Sequence, residues 1–465
     1  MNGALALSSF ILSAFIIFFV PPLVASARIT DYESVTIFDT SSAILLCFGI
    51  AGVFALCLFR KVDYGSFLMR LFIAALLIRI VVGTAIFVTN AQTFFGGDAF
   101  TYDAFGYFTY SGWNGNRYLQ LLADEFNGKP GSGWGMVYLV AGIYTLLGRN
   151  MLAVQFVDAV LGAATAPIVF LCAQAVFNHT RVSRVAALCA AFTPSLILWS
   201  SQGLKDGPIM FFLALAVLCT LRLGAKLSLI HAILLVTSLF CILAFRFYVF
   251  YMMVISIVAA FVMGMGSVTA TNFFRQTVAI ILLGLSLSYL GITRYASAQF
   301  DSYGSLDAVQ QSRIEAATSA QSGFGRDTDV STTAGAVATI PLGLAYLLFA
   351  PFPWELGSLR SIITLPETLI WWGSFPFLVI GLWYSIRYRL RAIAPMLIFT
   401  VMLSLAYSIF QGNVGNAYRQ RAQLQIFWFI FVAVGYVVIR EKREGSKETT
   451  DMQVCENLQC DGQLP

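Results

Sequence analysis

The chain has 465 residues, of which 58% are hydrophobic and only 11% are charged. A soluble globular protein carries about 25% charged residues, because its surface has to be polar. The composition therefore excludes a soluble protein and indicates a polytopic membrane protein whose apolar side chains face lipid. The net charge of +5 does not indicate nucleic-acid binding, since the basic residues are sorted by membrane side rather than gathered in one patch.

Apolar runs long enough to cross a bilayer recur along the whole chain. A crossing helix needs about 20 apolar residues, and this criterion predicts an all-α fold with about twelve transmembrane helices. The runs lie at about 4–25, 42–60, 67–89, 151–177, 184–201, 207–223, 226–244, 247–266, 276–292, 363–385, 392–411 and 421–439. The first run ends in a triplet, Ala25 to Ala27, that a signal peptidase could cleave. No basic segment precedes it, so we expect a retained helix.

Basic residues mark one side of the predicted bundle. Short connections such as RVSR (181–184) and RYRLR (387–391) are rich in arginine, and the positive-inside rule places them in the cytoplasm together with both termini. Two further apolar stretches, 134–148 and 337–352, are too short to cross and are expected to be re-entrant or interfacial. A crossing at either one would put RYRLR outside. We therefore expect a multi-pass protein of the cell membrane with extracytoplasmic loops.

These runs also predict the domain organisation. The expected units are an N-terminal helix pair (1–66), a transmembrane core (67–292) with an external catalytic loop (90–150), an external loop and re-entrant segment (293–362), C-terminal transmembrane helices (363–439) and a disordered cytoplasmic tail (440–465). The second external loop is expected to hold one short helix near LDAVQQSRIEAA. No GxxxxGK[ST] phosphate loop occurs, so the chain is not expected to hydrolyse ATP.

Two acids follow the third apolar run, in GGDAFTYDAFGYFTYSGWNGN (96–116). Asp98 and Asp103 stand five residues apart among aromatic side chains, which could stack on a sugar ring. Carboxylates beside the apolar boundary are costly unless they bind a cation or a proton, so both are candidate catalytic residues. The alternative is a hydrated interfacial loop within an ordinary aromatic belt.

Basic residues on the predicted outer face depart from the positive-inside rule and are candidate phosphate ligands. Arginine offers a planar fork of donors that stays charged at any relevant pH. The candidates for substrate binding are Lys205, Asp206, Arg246, Tyr248, Arg419 and Arg421. The alternatives are that Lys205 pairs with Asp206 and that the arginines reach lipid headgroups. Within helices, Arg79 and Asp158 could pair with each other.

The pattern over about residues 67–223 resembles the polytopic GT-C glycosyltransferases, and among them the bacterial relatives of protein O-mannosyltransferases and lipid A aminoarabinose transferases. The resemblance rests on the Asp98 and Asp103 motif, the stretch ending in LLGRN, the turn RVSRVAAL and the segment FTPSLILWSSQGLKD. It implies transfer of sugar from a polyprenyl phosphate or diphosphate donor to a glycan, lipid or protein acceptor outside the cytoplasm, commonly with inversion.

The resemblance also implies roles for particular residues. Asp98 or Asp103 would be the general base, and Asp206 would help to hold the acceptor or, together with Asp98, a divalent cation such as Mg²⁺ or Mn²⁺. Fixed cations would stabilise the charge that grows on the leaving phosphate. Two alternatives remain at this point: a polysaccharide polymerase or ligase, which would also use external arginines, and a glycolipid flippase, which predicts charged residues along a path through the bundle.

Overall fold

A computed structural model describes residues 2–26, 35–59, 63–129, 131–264, 270–289, 291–318, 322–325, 328–356 and 359–460. In this part of the chain the regular structure is helical, with one isolated bridge between Gly323 and Asn413. Helices α1 to α7 are Asn2–Ser26, Ile37–Phe59, Gly65–Val88, Gln92–Phe95, Asp98–Trp113, Arg117–Gly128 and Trp134–Leu147. Helices α8 to α14 are Met151–Phe177, Thr180–Phe192, Pro194–Trp199, Asp206–Ala225, Leu229–Phe245, Phe247–Met263 and Ala270–Tyr289. Helices α15 to α19 are Ile292–Tyr303, Leu306–Thr318, Thr333–Phe349, Leu359–Phe410 and Val414–Cys460.

The fold is that of an all-α, multi-pass membrane protein. Among the described residues, 6 helical segments are long and apolar enough to cross a bilayer: Ile37–Cys57, Gly65–Val88, Met151–Phe177, Asp206–Ala225, Leu359–Phe410 and Val414–Glu444. Helix α18 is kinked at Arg389, where φ is -139° and ψ is 21°. The kink separates the two apolar runs that the sequence predicts on either side of RYRLR. The total of about twelve crossings stays a prediction.

Helix α8 forms the centre of the bundle and packs against α2, α3, α9 and α11. Small side chains, including Gly162, Ala163 and Ala166, are buried along it. Small residues let neighbouring backbones approach closely, which is the main source of packing energy between helices in lipid. Helix α11 packs against α8, and Asp206 at its start is buried.

Several segments predicted from the sequence can be located in this fold. Helices α7 and α17 coincide with the two apolar stretches judged too short to cross, and α16 lies at LDAVQQSRIEAA. The expected disordered tail instead continues α19 as helix as far as Cys460. Its first turn is supported by an ion pair between Arg440 and Glu444, four residues apart, a spacing that favours helix. The signal-peptidase position at Ala27 lies outside the described residues.

Helices α18 and α19 form a hairpin whose closest approach is made by Gly381 and Gly435. A Cβ atom at Gly435 would overlap the carbonyl oxygen of Phe377, and one at Gly381 would overlap that of Phe431. The two backbones therefore touch at a point where only glycine fits, in the manner of small-residue contacts between membrane helices.

Replacing Gly435 by valine is expected to push α18 and α19 apart and to destabilise the protein by about 1–3 kcal/mol, the usual range for overpacking. Thermal unfolding of the purified protein in detergent, followed by circular dichroism, measures the effect. Gly373→Val is the matched control, because nothing lies within 4 Å of a Cβ atom at Gly373. Equal unfolding temperatures for the two variants would contradict the proposed contact.

Candidate active site

A cavity of about 200 Å³ opens at the end of the bundle that the sequence predicts to face outward. Segments far apart in the sequence contribute to its wall. The lining residues are Asp98, Gly131, Lys205, Arg246, Phe247, Tyr248, Asn416, Arg419 and Gln420. Five residues predicted from the sequence, together with Asp206 beneath them, are thus brought together at one place.

The charged residues of the cavity stand at the ends of helices. Asp98 begins α5 after a turn at Gly96, whose φ of 135° favours glycine. Lys205 and Asp206 begin α11, and Arg246 separates α12 from α13. The apolar part of each helix lies within the bundle, and its charged terminus lies at the end of the bundle that faces water. The charged helix ends are therefore brought together at one place.

Four charged residues, Asp98, Asp206, Arg246 and Arg419, form the Asp206 cluster. Asp206 Oδ1 accepts a hydrogen bond from Arg246 Nη2 at 3.2 Å, and Asp206 Oδ2 accepts one from Arg419 Nε at 2.5 Å. Arg419 Nη1 donates to Asp98 Oδ2 at 2.6 Å. The Asp206 side chain is 1% exposed, whereas that of Asp98 is 53% exposed. The cluster therefore has a buried anchor and an accessible outer carboxylate.

Two guanidinium nitrogens of the cluster have no protein partner in the described part of the chain. Arg246 Nη1 and Arg419 Nη2 are both buried and make no hydrogen bond there. An unsatisfied buried donor costs about 1–3 kcal/mol, and more when it is charged. Both residues line the cavity, and their positive charge favours an anion as its occupant.

Lys205 adds a third cation with an unusual titration. Its ammonium group lies 5.8 Å from the centre of the Tyr102 ring. Burial, together with the nearby charges of Arg246 and Arg419, lowers the pKa of Lys205 to about 7, although the charges of Asp206 and Asp98 oppose this shift. Its charge therefore changes near neutral pH.

Asp98 is held as a carboxylate. Burial by itself raises the pKa of Asp98, but the charge and hydrogen bond of Arg419, helped by Lys205 and Arg246, outweigh it and lower the pKa below the ordinary value. Asp98 is therefore ionised at neutral pH while Arg419 is bound to it.

Asp103 does not line this cavity. Its side chain is 2% exposed and accepts hydrogen bonds from Arg149 Nη2 at 2.5 Å and from the hydroxyl of Tyr144. Arg149 lies over the Tyr107 ring, 4.7 Å from its centre. These contacts fasten α5 to α7 and the start of α8, so the two predicted catalytic acids occupy different environments.

Arg421 also lies away from the cavity. It is fully buried, and its Nη1 donates to the carbonyl oxygens of Leu348 and Ala350, both at 3.1 Å. Carbonyls at a helix C-terminus lack partners within the helix and favour a cation. Arg421 therefore caps the end of α17, while Arg419 faces the cavity.

A buried polar layer supports the turn that carries Lys205. Arg79 Nε donates to Ser200 Oγ at 2.8 Å, and the backbone N–H of Leu204 donates to Asp158 Oδ2 at 3.1 Å. Arg79 and Asp158 make no direct ion pair, so the predicted pairing is replaced by separate contacts to the 200–204 turn. Both residues are fully packed in the core, which does not favour a charged path through the bundle.

The turn before α19 is fastened by α16 and by the loop that follows it. Arg313 Nη1 donates to the carbonyl oxygens of Ile409 at 2.8 Å and Gln411 at 2.6 Å. Phe324 N–H donates to Gly412 O at 2.8 Å. These contacts hold the start of α19, whose Asn416, Arg419 and Gln420 reach the cavity. Asn416 and Gln420 carry no charge, so no local pattern indicated that they would line a cavity.

The carboxylates of Asp98 and Asp206 do not fit a divalent cation as they are arranged. Both bind the guanidinium of Arg419, and both oxygens of Asp206 are engaged by arginine. Mg²⁺ needs octahedral oxygen ligands, and Ca²⁺ needs six to eight. Among the described residues no group of three or more His, Cys, Asp or Glu side chains could hold a metal. The predicted cation stays a prediction, and no chemical step is assigned to it.

Two solved structures overlap with part of this fold. The apo crystal structure of the Archaeoglobus fulgidus oligosaccharyltransferase has 15% sequence identity to this chain and a TM-score of 0.47. The superposed region covers 82% of this chain and 52% of the oligosaccharyltransferase chain. The oligosaccharyltransferase AglB from the same organism, in complex with an inhibitory peptide and a dolichol-phosphate, has 13% identity, a TM-score of 0.45 and the same coverages, 82% and 52%. This chain thus spans about half the length of either one. The chemistry of this chain has to be inferred from the cavity itself.

No family model matches the chain, and no curated protein matches it.

Asp206→Asn is expected to destabilise the protein by about 3–5 kcal/mol, because it leaves Arg246 and Arg419 buried without a counter-charge. Asp98→Asn removes a half-exposed partner and is expected to cost less than about 1 kcal/mol. Thermal unfolding of the two purified variants in detergent gives the comparison. Similar losses for both would show that Asp206 is not the anchor of the cluster.

Proposed function

We propose that this protein is a membrane glycosyltransferase that moves a sugar from a polyprenyl phosphate or diphosphate donor to an acceptor on the extracytoplasmic face. The observation that supports this best is that two arginines, a lysine and an accessible carboxylate line one cavity. Anion-binding donors beside a base are what the displacement of a phosphate by an alcohol requires.

The phosphate of the donor would lie between Arg246, Arg419 and Lys205. Its charge grows as the bond from the anomeric carbon to the phosphate oxygen breaks. Fixed cations stabilise that growing charge more than they stabilise the ground state, which lowers the barrier to transfer. Because Asp206 orients both guanidinium groups from below, they are held in place before the donor arrives.

Asp98 would take the proton of the acceptor hydroxyl. The hydroxyl oxygen attacks the anomeric carbon, the electron pair of the broken bond stays on the phosphate oxygen, and the proton passes to Asp98. A single displacement of this kind inverts the anomeric carbon. Asp98 is a better candidate than Asp103, because it is 53% exposed at the cavity, whereas Asp103 is 2% exposed and already bound by Arg149.

Arg419 would couple donor binding to the strength of the base. In the free protein it binds Asp98 and lowers the pKa of that carboxyl, which makes Asp98 a weak base. A general base works best when its pKa is near the working pH. When the donor phosphate replaces Asp98 at the guanidinium of Arg419, the pKa of Asp98 rises, and the base becomes effective with the donor in place.

Asp98→Asn is expected to reduce transfer by about 10²- to 10⁴-fold, the usual contribution of a general base. The measurement is release of prenyl phosphate from a panel of prenyl phosphate sugars and prenyl diphosphate sugars by purified protein in lipid nanodiscs. Asp124→Asn is the matched control, because that carboxylate bonds to Gln120 on exposed helix α6. Full activity in Asp98→Asn would remove Asp98 from the mechanism.

The value of kcat/KM for the donor is expected to fall as the pH rises through about 7. Lys205 carries its charge below this pKa and loses it above, so donor binding weakens at higher pH. Because kcat/KM reports groups of the free enzyme, the change should appear there. Lys205→Arg stays charged and is expected to keep kcat/KM level from pH 6 to about pH 9. An unchanged fall in Lys205→Arg would assign the titration to another group.

A further inference from the structure

The guanidinium group of Arg419 has an aromatic neighbour in addition to the two carboxylates that bind it. Its Cζ atom lies over the ring of Trp199, 5.6 Å from the ring centre. A guanidinium group is attracted to the face of an indole at distances of up to about 6 Å, and its planar shape lets it stack there. Trp199 is 7% exposed and the Arg419 side chain is 12% exposed. The contact is therefore shielded from water, which strengthens it.

This contact matters most when a phosphate replaces Asp98 at Arg419. In the free protein the guanidinium group is fixed at two edges, since Nε donates to Asp206 Oδ2 at 2.5 Å and Nη1 donates to Asp98 Oδ2 at 2.6 Å. Once the donor phosphate has taken the place of Asp98, only the first of these two bonds is left. A single hydrogen bond leaves the plane of the group free to turn. The face of Trp199 then limits this turning and keeps the group directed at the phosphate.

Trp199 is itself held by a buried carboxylate that the proposed mechanism does not use. Glu367, on α18, accepts hydrogen bonds from the backbone N–H of Ser195 at 2.7 Å, from the Ser195 hydroxyl at 2.5 Å and from the Tyr418 hydroxyl at 2.7 Å. Ser195 lies in the first turn of α10, and Trp199 is the last residue of that helix. The Tyr418 ring packs edge-on against Trp199, with 6.4 Å between the ring centres. Glu367 therefore holds Trp199 in two ways, through α10 and through Tyr418.

Trp199 lies between two consecutive side chains of α19. Its ring contacts both Tyr418 and Arg419, and neighbouring residues of a helix point about 100° apart. The indole N–H makes no hydrogen bond within the described part of the chain. The position of the indole is therefore set by these ring contacts and by α10, both of which depend on Glu367.

We infer that Trp199 is a positioning residue that keeps the guanidinium group of Arg419 directed at the donor phosphate. Glu367 fixes Trp199 in this place through the hydroxyl of Tyr418 and the start of α10. The inference rests on the proposed function and adds to it residues that act through Arg419 without touching the substrate. The effect of changing Trp199 must then depend on which side chain stands at position 419.

A double-mutant cycle tests this dependence. Trp199→Leu removes the aromatic face, whereas Arg419→Lys keeps a positive charge beside Asp206 but has no planar group to align. Calorimetry measures binding of farnesyl phosphate, with farnesol as the uncharged control, to the full-length protein in lipid nanodiscs. We expect Trp199→Leu to weaken farnesyl phosphate binding at least fivefold when Arg419 is present and less than twofold in the Arg419→Lys background. Equal losses in both backgrounds would overturn the inference, because a merely structural role of Trp199 does not depend on Arg419.

Turnover of the donor panel described above gives a second measurement. Trp199→Leu is expected to lower kcat at least tenfold, because the guanidinium group acts mainly on the charge that grows in the transition state. Trp199→Phe keeps an aromatic face and is expected to lose less than threefold. Equal losses of kcat in the Leu and Phe variants would contradict alignment by the ring.

Tyr418→Phe keeps the inference testable if Trp199→Leu does not fold. It removes one hydroxyl, and with it the bond to Glu367, so we expect a two- to fivefold loss of farnesyl phosphate affinity that disappears in Arg419→Lys. Tyr64→Phe is the matched control, because the Tyr64 hydroxyl bonds to Thr180 Oγ1 at 3.0 Å, beside the predicted cytoplasmic turn. Unchanged affinity in Tyr418→Phe, or a loss that persists in Arg419→Lys, would contradict the inference.

Failure of the proposed function gives a different result. If the wild-type protein turned over no donor of the panel while the binding cycle showed the expected dependence, the transfer reaction would fall and the alignment of Arg419 by Trp199 would stand. If farnesyl phosphate bound no more tightly than farnesol, the cavity would not be a phosphate site, and both proposals would fall together.

Discussion

The buried carboxylate of Asp206 is the interaction on which the cavity depends. It lies at the start of α11, and its two oxygens bind Arg246 from the α12 to α13 junction and Arg419 from α19. Burying three charges is costly unless they satisfy one another, because each loses its hydration. Asp206, Arg246 and Arg419 are therefore stable in this place only together, so the three helix ends are held in a fixed relation and the guanidinium groups are oriented before any ligand arrives.

Much of the fold follows from the apolar runs, because a helix in lipid must satisfy its own backbone and be long enough to cross. The arrangement of the candidate site follows less directly from the sequence than the fold does. The sequence predicts Asp98 and Asp103 as neighbours in an external loop, but they lie on helix α5, where five residues turn the chain by about 500° and place them about 140° apart. One faces the cavity and the other faces Arg149.

The same geometry separates Arg419 from Arg421. Residues two apart on a helix point in nearly opposite directions, so Arg421 caps α17 while Arg419 reaches Asp206. The contact between α16 and the turn before α19 has no local sequence pattern that predicts it. Arg313 is 96 and 98 residues from Ile409 and Gln411, whose carbonyl oxygens it binds, and these contacts depend on how α16 folds back against the end of α18. Contacts between segments so far apart cannot be read from local patterns.

The Asp206 cluster contains one contact of Arg419 that is permanent and one that a ligand can replace. Arg419 is bound to Asp206 through a contact that is almost completely buried, and to Asp98 through one that is half exposed. An exposed ion pair contributes about 0–1 kcal/mol, because water and salt compete for both partners, whereas removing the buried partner would cost several times more. A phosphate entering the cavity can therefore replace Asp98 at the guanidinium without disturbing Asp206. The helices that hold the site together need not move for the base to be released.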